Sequence, residues 1–143
     1  MSDKAAILVK RAALEFDKIS NPIFADYDLT ASQYKVLKYL YAREDGTARI
    51  VDLEKEYSLT HPTTLGLVDM LESKGFVSRI PNPNDARGKL VSLTRKSLDM
   101  KDDLLALGED IEKKLTANLN ENEREQLIYL LQKLLNIKES DLK

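Results

Sequence analysis

Residues 58–94 read SLTHPTTLGLVDMLESKGFVSRIPNPNDARGKLVSLT, and the fold follows from how this stretch is parsed. Thr60 can cap a helix, and Pro62 is tolerated there because the first-turn N–H groups have no intrahelical partner. Leu67, Val68 and Leu71, with the Thr64 methyl above them, fall on one face at helical spacing. Gly75 then closes the helix, since glycine enters the left-handed C′ conformation at no steric cost. Phe76–Ile80 and Lys89–Thr94 are short runs that alternate polar with apolar residues. They flank the turn-rich segment Pro81–Gly88 and so predict a β-hairpin with its tip over 81–88. A helix followed by a hairpin with basic residues near the tip is the layout of a winged helix-turn-helix.

The rest of the chain supplies the helices around this unit. Residues 4–20 predict a first helix, with Ala5, Val9, Ala12, Phe16 and Ile19 along one face and Leu8, Ala13 and Leu14 widening it. Two readings of so broad a stripe stand: packing on the chain's own core, or contact with a second subunit. Asn21-Pro22 is expected to end this helix and to leave Phe24, Tyr27 and Leu29 in a link. Residues 31–43 predict the next helix, with Tyr34, Leu37, Leu40 and Tyr41 inward, and Glu44-Asp45-Gly46 ends it. Arg49–Tyr57 predicts a short helix, with Ile50, Leu53 and Tyr57 on one face, that braces the 60–74 helix across the turn Ser58-Leu59. Residues 95–118 predict one long helix, and Glu121–Ile137 a last one with Leu127, Leu130, Leu131, Leu134 and Leu135 as a dense apolar face. Two long helices with no further sheet carry more apolar surface than one small domain covers. A two-fold dimerisation domain built from both chain ends is therefore expected.

Composition narrows the function classes. The 143 residues are 43% hydrophobic, enough for one compact core with helical extensions. Cysteine is absent and histidine occurs once, so disulfides, thiol chemistry and His-rich metal sites are excluded. No glycine-rich phosphate loop or convergent carboxylate pair appears, and nothing calls for a cofactor, so an enzyme is not expected. The first 16 residues are too interrupted by charge for a signal peptide or membrane span, which makes the cytoplasm the expected location. The net charge is −2, but residues 58–95 hold five Lys/Arg against three Asp/Glu, whereas residues 96–143 hold eight against eleven. Positive charge thus concentrates in the proposed reading unit.

Four signals in order carry a family resemblance. The wing holds Asp85-Ala86-Arg87 and, five residues later, Leu93-Thr94. The helix before it has Pro62-Thr63 near its start and Leu71-Glu72 before Lys74-Gly75, and upstream lie Leu29-Thr30-Ala31-Ser32-Gln33-Tyr34 and Val36-Leu37. Over essentially the whole chain this resembles the multiple-antibiotic-resistance-regulator (MarR) family of dimeric winged-helix transcription regulators. The resemblance implies a mainly α chain with a small β-hairpin wing (α+β). Residues 1–28 would form a dimerisation helix and link, 29–95 a winged helix-turn-helix that binds double-stranded DNA, and 96–143 dimerisation helices. It implies a homodimer, with Val9, Phe16, Leu127, Leu130, Leu131 and Leu134 at the interface. A small aromatic or phenolic ligand near Phe24, Tyr27 and Tyr34 is also implied; hinge packing is the competing reading for those three rings.

Candidate DNA contacts are Thr60, His61, Thr63, Thr64 and Gly66 at the start of the 60–74 helix, and Asp85, Arg87, Lys89 and Arg79 in the wing. Helix N-terminal residues reach base edges in the major groove. Arg87 suits a narrow minor groove, with Asp85 shaping the turn, Gly88 reversing the chain, and Lys89 and Arg79 at the wing's base facing phosphate. For Thr60, capping competes with a base contact. Family members often carry Arg near positions 66 and 70, where this chain has Gly66 and Met70. A regulator of transcription, most simply a repressor released by a ligand, is the expectation. A winged-helix module that pairs with another protein is the alternative, motivated by the uncharged helix and the acidic chain.

Overall fold

The computed structural model describes residues 4–138. In chain order the elements are α1 (Ala5–Ala25), α2 (Ala31–Ala42), β1 (Thr47–Arg49), α3 (Ile50–Tyr57), α4 (His61–Ser73), β2 (Val77–Asn82), β3 (Asp85–Leu93), α5 (Arg95–Asp99), α6 (Lys101–Leu115) and α7 (Glu121–Leu134). The three strands form one antiparallel sheet in the order β1-β3-β2. This is a winged helix-turn-helix flanked by helices, as expected.

Local chemistry accounts for most boundaries. Thr30 and Gln33 form a reciprocal capping box at the start of α2, and Asn120 and Glu123 form another at α7. Thr60 caps α4 by accepting from the Thr63 N–H, and Gly75 follows at φ +83°, the left-handed exit read from the sequence. Leu37, Leu40, Leu53, Val68, Leu71, Phe76, Val91 and Leu104 form a core that ties α2, α3 and α4 to the sheet and to α6. Two buried hydroxyls cross-link it: Tyr34 donates to the Leu104 carbonyl at 2.8 Å and Tyr41 to the Ser97 carbonyl at 2.6 Å.

Three expectations are corrected and one strand is added. Asn21-Pro22 does not end α1, which runs on to Ala25 with Pro22 inside it. Proline removes one hydrogen bond, but Phe24 beyond it is buried and stacks on Tyr34 with ring centroids 4.5 Å apart. Burying a phenyl ring is worth about 2 kcal/mol, enough to hold the final turn in helical register. The wing tip is shorter than 81–88: β2 reaches Asn82, β3 begins at Asp85, and only Pro83-Asn84 turn. The pairing passes from Pro81 opposite Lys89 to Asn82 opposite Asp85, which leaves Ala86-Arg87-Gly88 as a bulge on β3. The 95–118 helix is two, broken at Met100, where φ −94° and ψ 0° depart from helical values. Last, β1 was not foreseen, being three residues long and too short to show alternation.

Phe16, expected at the interface, is half-buried against its own protomer's core. The other predicted interface residues stand differently. None of α7 is buried, and Leu127, Leu130, Leu131 and Leu134 are exposed, as is Val9 on α1. Arg124 of α7 pairs with Glu112 of α6 at 3.0 Å.

Candidate nucleic-acid interface

The start of α4 and the wing hold their polar groups by local bonds. At α4 the Thr60 hydroxyl donates to the Thr63 hydroxyl at 2.9 Å while accepting from the Thr63 backbone, so capping occupies it, the competing role weighed for that residue. Thr64 is withdrawn as a DNA contact: its side chain is fully buried and its hydroxyl donates back to the Thr60 carbonyl. A threonine on the core-facing side of a helix satisfies its hydroxyl in this way. His61, Thr63 and Gly66 remain exposed along the outer side, with Met70 one turn further at 49% exposure.

Charge around α4 is arranged by the wing. α4 itself contains no Lys or Arg but carries Asp69 and Glu72. Arg79 on β2 reaches back to both, with Nη2 2.5 Å from Asp69 and Nη1 2.9 Å from Glu72. Its side chain is only 28% exposed, so Arg79 is a clamp between wing and helix rather than the free phosphate contact expected. It cancels the two carboxylates that would otherwise face the same side as the reading helix.

On β3, Arg87 and Lys89 are exposed, and neither makes an ion pair among the described residues. Asp85 shapes the bulge, not the guanidinium: its Oδ1 accepts from the Arg87 backbone N–H at 3.0 Å. A Cβ at Gly88 would sit 3.2 Å from Asp85 Oδ2, which explains the small residue there. The spacing Asp-x-Arg-Gly is thus a backbone device that holds Arg87 outward. The weaker cation candidates are engaged: Arg49 with Asp52, Arg95 with Asp99, and Lys96 with the Lys74 carbonyl and the Phe76 ring face 4.3 Å away.

Between α1, α2 and α6 lies a cavity of about 250 Å³. Phe24, Tyr34, Phe16 and Ile111 line it, together with Lys35, Lys38 and Glu112. Two of the three predicted rings are there; Tyr27 is half-buried against the core and is not part of the lining. Burial raises the Tyr34 pKa from its ordinary value of 10, so the hydroxyl stays a donor to Leu104. The lysines were not singled out from the sequence. Their signal is a pair three residues apart on the helix that also carries Tyr34.

Sequence reading also missed Glu54. Its Oε1 lies 2.5 Å from His61 Nδ1 across the turn between α3 and α4. Seven residues of separation give no periodic hint of a contact made by reversing the chain.

A three-helix unit with a supported outward helix and an Arg-bearing wing defines the class of winged helix-turn-helix DNA-binding regulators. The comparisons agree. Residues 29–89 match the MarR family. The chain is 38% identical over 120 residues to the multiple antibiotic resistance protein MarR of Escherichia coli, covering 83% of this chain and 82% of that one. It therefore belongs to the MarR family. Among solved structures, a cysteine-to-serine variant of Escherichia coli MarR complexed with operator DNA superposes with a TM-score of 0.81 at 35% identity, covering 91% of this chain and 92% of that one. A structure of Bordetella bronchiseptica BpsR, concerned with regulation of its DNA binding by 6-hydroxynicotinic acid, gives a TM-score of 0.82 at 26% identity, covering 96% and 97%.

Proposed function

We propose that this chain is a homodimeric, sequence-specific DNA-binding transcriptional regulator that acts as a repressor by occupying a pseudo-palindromic operator. The observation that carries this is the polarity of the protomer: one side presents His61, Thr63, Gly66, Met70 and Arg87, while the leucines of α7 are bare at the chain's other end. A 14-residue helix with no buried residue is marginal in water unless something covers it. A second copy does so and, by its two-fold axis, pairs the two reading heads. Each α4 would enter a major groove and each wing a flanking minor groove, with Arg87 in the minor groove. Wing and helix N-terminus supply the phosphate contacts, and the uncharged α4 face reads by shape and apolar contact.

The cavity supports release by a small molecule. Its aromatic walls and two lysines, set against the Glu112 carboxylate that Arg124 engages, fit a compact aromatic acid, and its position among α1, α2 and α6 joins the DNA-binding part to the helices that pair the subunits. Regulation of BpsR by 6-hydroxynicotinic acid is consistent with a ligand of that chemistry. No helix of the described residues is long and apolar enough to cross a membrane. The protein-interaction alternative is not favoured, because a MarR that this chain matches at 35% identity is solved in complex with operator DNA.

The test is a titration against the DNA upstream of the chain's own gene and against a scrambled duplex, at several salt concentrations. Selective binding whose affinity falls steeply with salt is the expected result, since neutralising phosphates releases counterions. Equal, weak binding to both duplexes at every salt concentration would overturn the proposal.

A further inference from the structure

His61 is the chain's single histidine and the first residue of α4. Its Nδ1 contacts Glu54 Oε1, and its side chain is 63% exposed. An ionised carboxylate has no proton to give, so the hydrogen in this contact belongs to Nδ1. A neutral imidazole carries one N–H, which leaves Nε2 as an acceptor on this exposed side chain. No hydrogen bond to Nε2 is recorded among the described residues. The neighbouring Thr60 hydroxyl is engaged in both directions and Thr64 is buried, so Nε2 is a free acceptor at the tip of the reading helix.

We infer that Glu54 is a positioning residue that fixes the tautomer of His61, and that His61 Nε2 thereby selects a base edge bearing a donor, adenine N6–H or cytosine N4–H, in the major groove. The inference rests on the DNA-binding reading above. Adenine and cytosine present amino donors there, whereas guanine O6 and N7 and thymine O4 are acceptors. Glu54 is the charged group on α3 bonded to the ring; Lys55 and Glu56 of the same helix are exposed and make no recorded bond to it. The charged groups that meet α4 from other elements are engaged elsewhere, Arg79 of β2 by Asp69 and Glu72, and Lys74 by Asp28 and Gln33.

A single histidine makes the ring ¹⁵N spectrum of the full-length protein unambiguous. In its neutral form the wild-type ring should show the Nδ1–H tautomer, and Glu54→Gln should show a mixture; a neutral wild-type ring carrying its proton on Nε2 overturns the inference. The second arm uses duplexes selected from a random pool by the wild-type chain, with every base pair of the half-site then exchanged. One A- or C-bearing position should be preferred roughly fivefold, the worth of one hydrogen bond. That preference should vanish in His61→Ala and weaken in Glu54→Gln. A His61→Ala profile identical to wild type at all positions overturns it. A wild-type chain that selects no duplex overturns the regulator reading itself, and flat selection tells that failure apart from the loss of one base preference.

Discussion

Gly66 lies in the middle of α4 with ordinary helical geometry, and a Cβ built there meets nothing within 4 Å. Glycine inside a helix costs about 0.8–1.0 kcal/mol relative to alanine, chiefly through backbone entropy lost on folding. The protein's own packing gives no reason to bear that cost. Gly66→Ala should therefore stabilise each protomer by about 1 kcal/mol and raise the melting temperature by about 3 °C at fixed protein concentration. On DNA the sign reverses. If the α4 backbone lies against the groove floor at Gly66, a methyl group lifts the helix and disturbs its base contacts. One spoiled base-pair contact typically costs about 1–3 kcal/mol, tenfold or more in affinity, and the dimer carries two copies. Calorimetric melting and fluorescence-anisotropy titration on the same preparation measure both effects. A stabilised variant with unchanged operator affinity would refute the idea that Gly66 exists for close approach to DNA. A lower melting temperature would refute the reading of the free space around it.

Other substitutions separate the roles assigned above. Arg87→Ala should cost roughly 1–3 kcal/mol of operator affinity, lower the salt slope by about one per wing and relax preference for A·T pairs beside the major-groove site. Unchanged affinity would remove Arg87 from the interface. Arg79→Ala should change folding stability by less than about 1 kcal/mol, because its ion pairs are partly exposed, yet weaken DNA binding by uncovering Asp69 and Glu72. Adding Asp69→Asn should recover part of that loss, and no recovery would count against the neutralising role. Leu130→Glu with Leu134→Glu should yield a light-scattering mass of one chain and a loss of thermal stability; a retained dimer would place the interface elsewhere. Tyr41 is buried, and desolvation pushes its hydroxyl to about 12 from an ordinary value of 10. The folded state thus holds the proton more tightly than the unfolded chain, so stability present below pH 10 should fall as pH rises toward 12. Chemical denaturation midpoints across that range should flatten in Tyr41→Phe, and an equal slope in both proteins would sink the assignment.

What was legible beforehand were features whose causes lie within a few residues. Thr60, Pro62 and Gly75 bound α4 by local capping and left-handed geometry, so both ends of that helix were readable. The Asp-x-Arg frame in the wing was equally local. What escaped was decided by packing. Pro22 looks like a terminator until Phe24 is seen buried on Tyr34, and Tyr34 lies beyond the intervening turn. Arg79 reads as a free cation because its partners are seven and ten residues earlier, brought opposite only when β2 folds back along α4. Glu54 and His61 are joined by a turn whose Ser58 takes left-handed geometry, φ +52°, which no residue preference announces. The break at Met100 separates a short helix, pinned by Thr94 and Ser97 to Phe76, from α6, which packs on α1. Two partners in different places require two axes, and periodicity alone cannot show that.

These placements together explain how a helix without a basic residue can serve as a reading head. On the proposed reading, Arg79 would remove repulsion between the α4 carboxylates and phosphate inside the protein, so that the helix would reach the groove nearly neutral on that side. Attraction would then come from its flanks: Arg87 and Lys89 on the wing, and the N-terminal end of α4, where the helix dipole favours phosphate. Such a division makes affinity and selectivity separable. Wing substitutions should change the salt slope with modest effect on which sequence is chosen, whereas His61, Gly66 and Met70 should change the choice with little effect on the slope. Measuring the slope for each variant on its best duplex distinguishes the two groups. Equal slope changes from both would mean that the outer face of α4, beyond its N-terminal backbone, also neutralises phosphate, and the neutral-helix account would then fail.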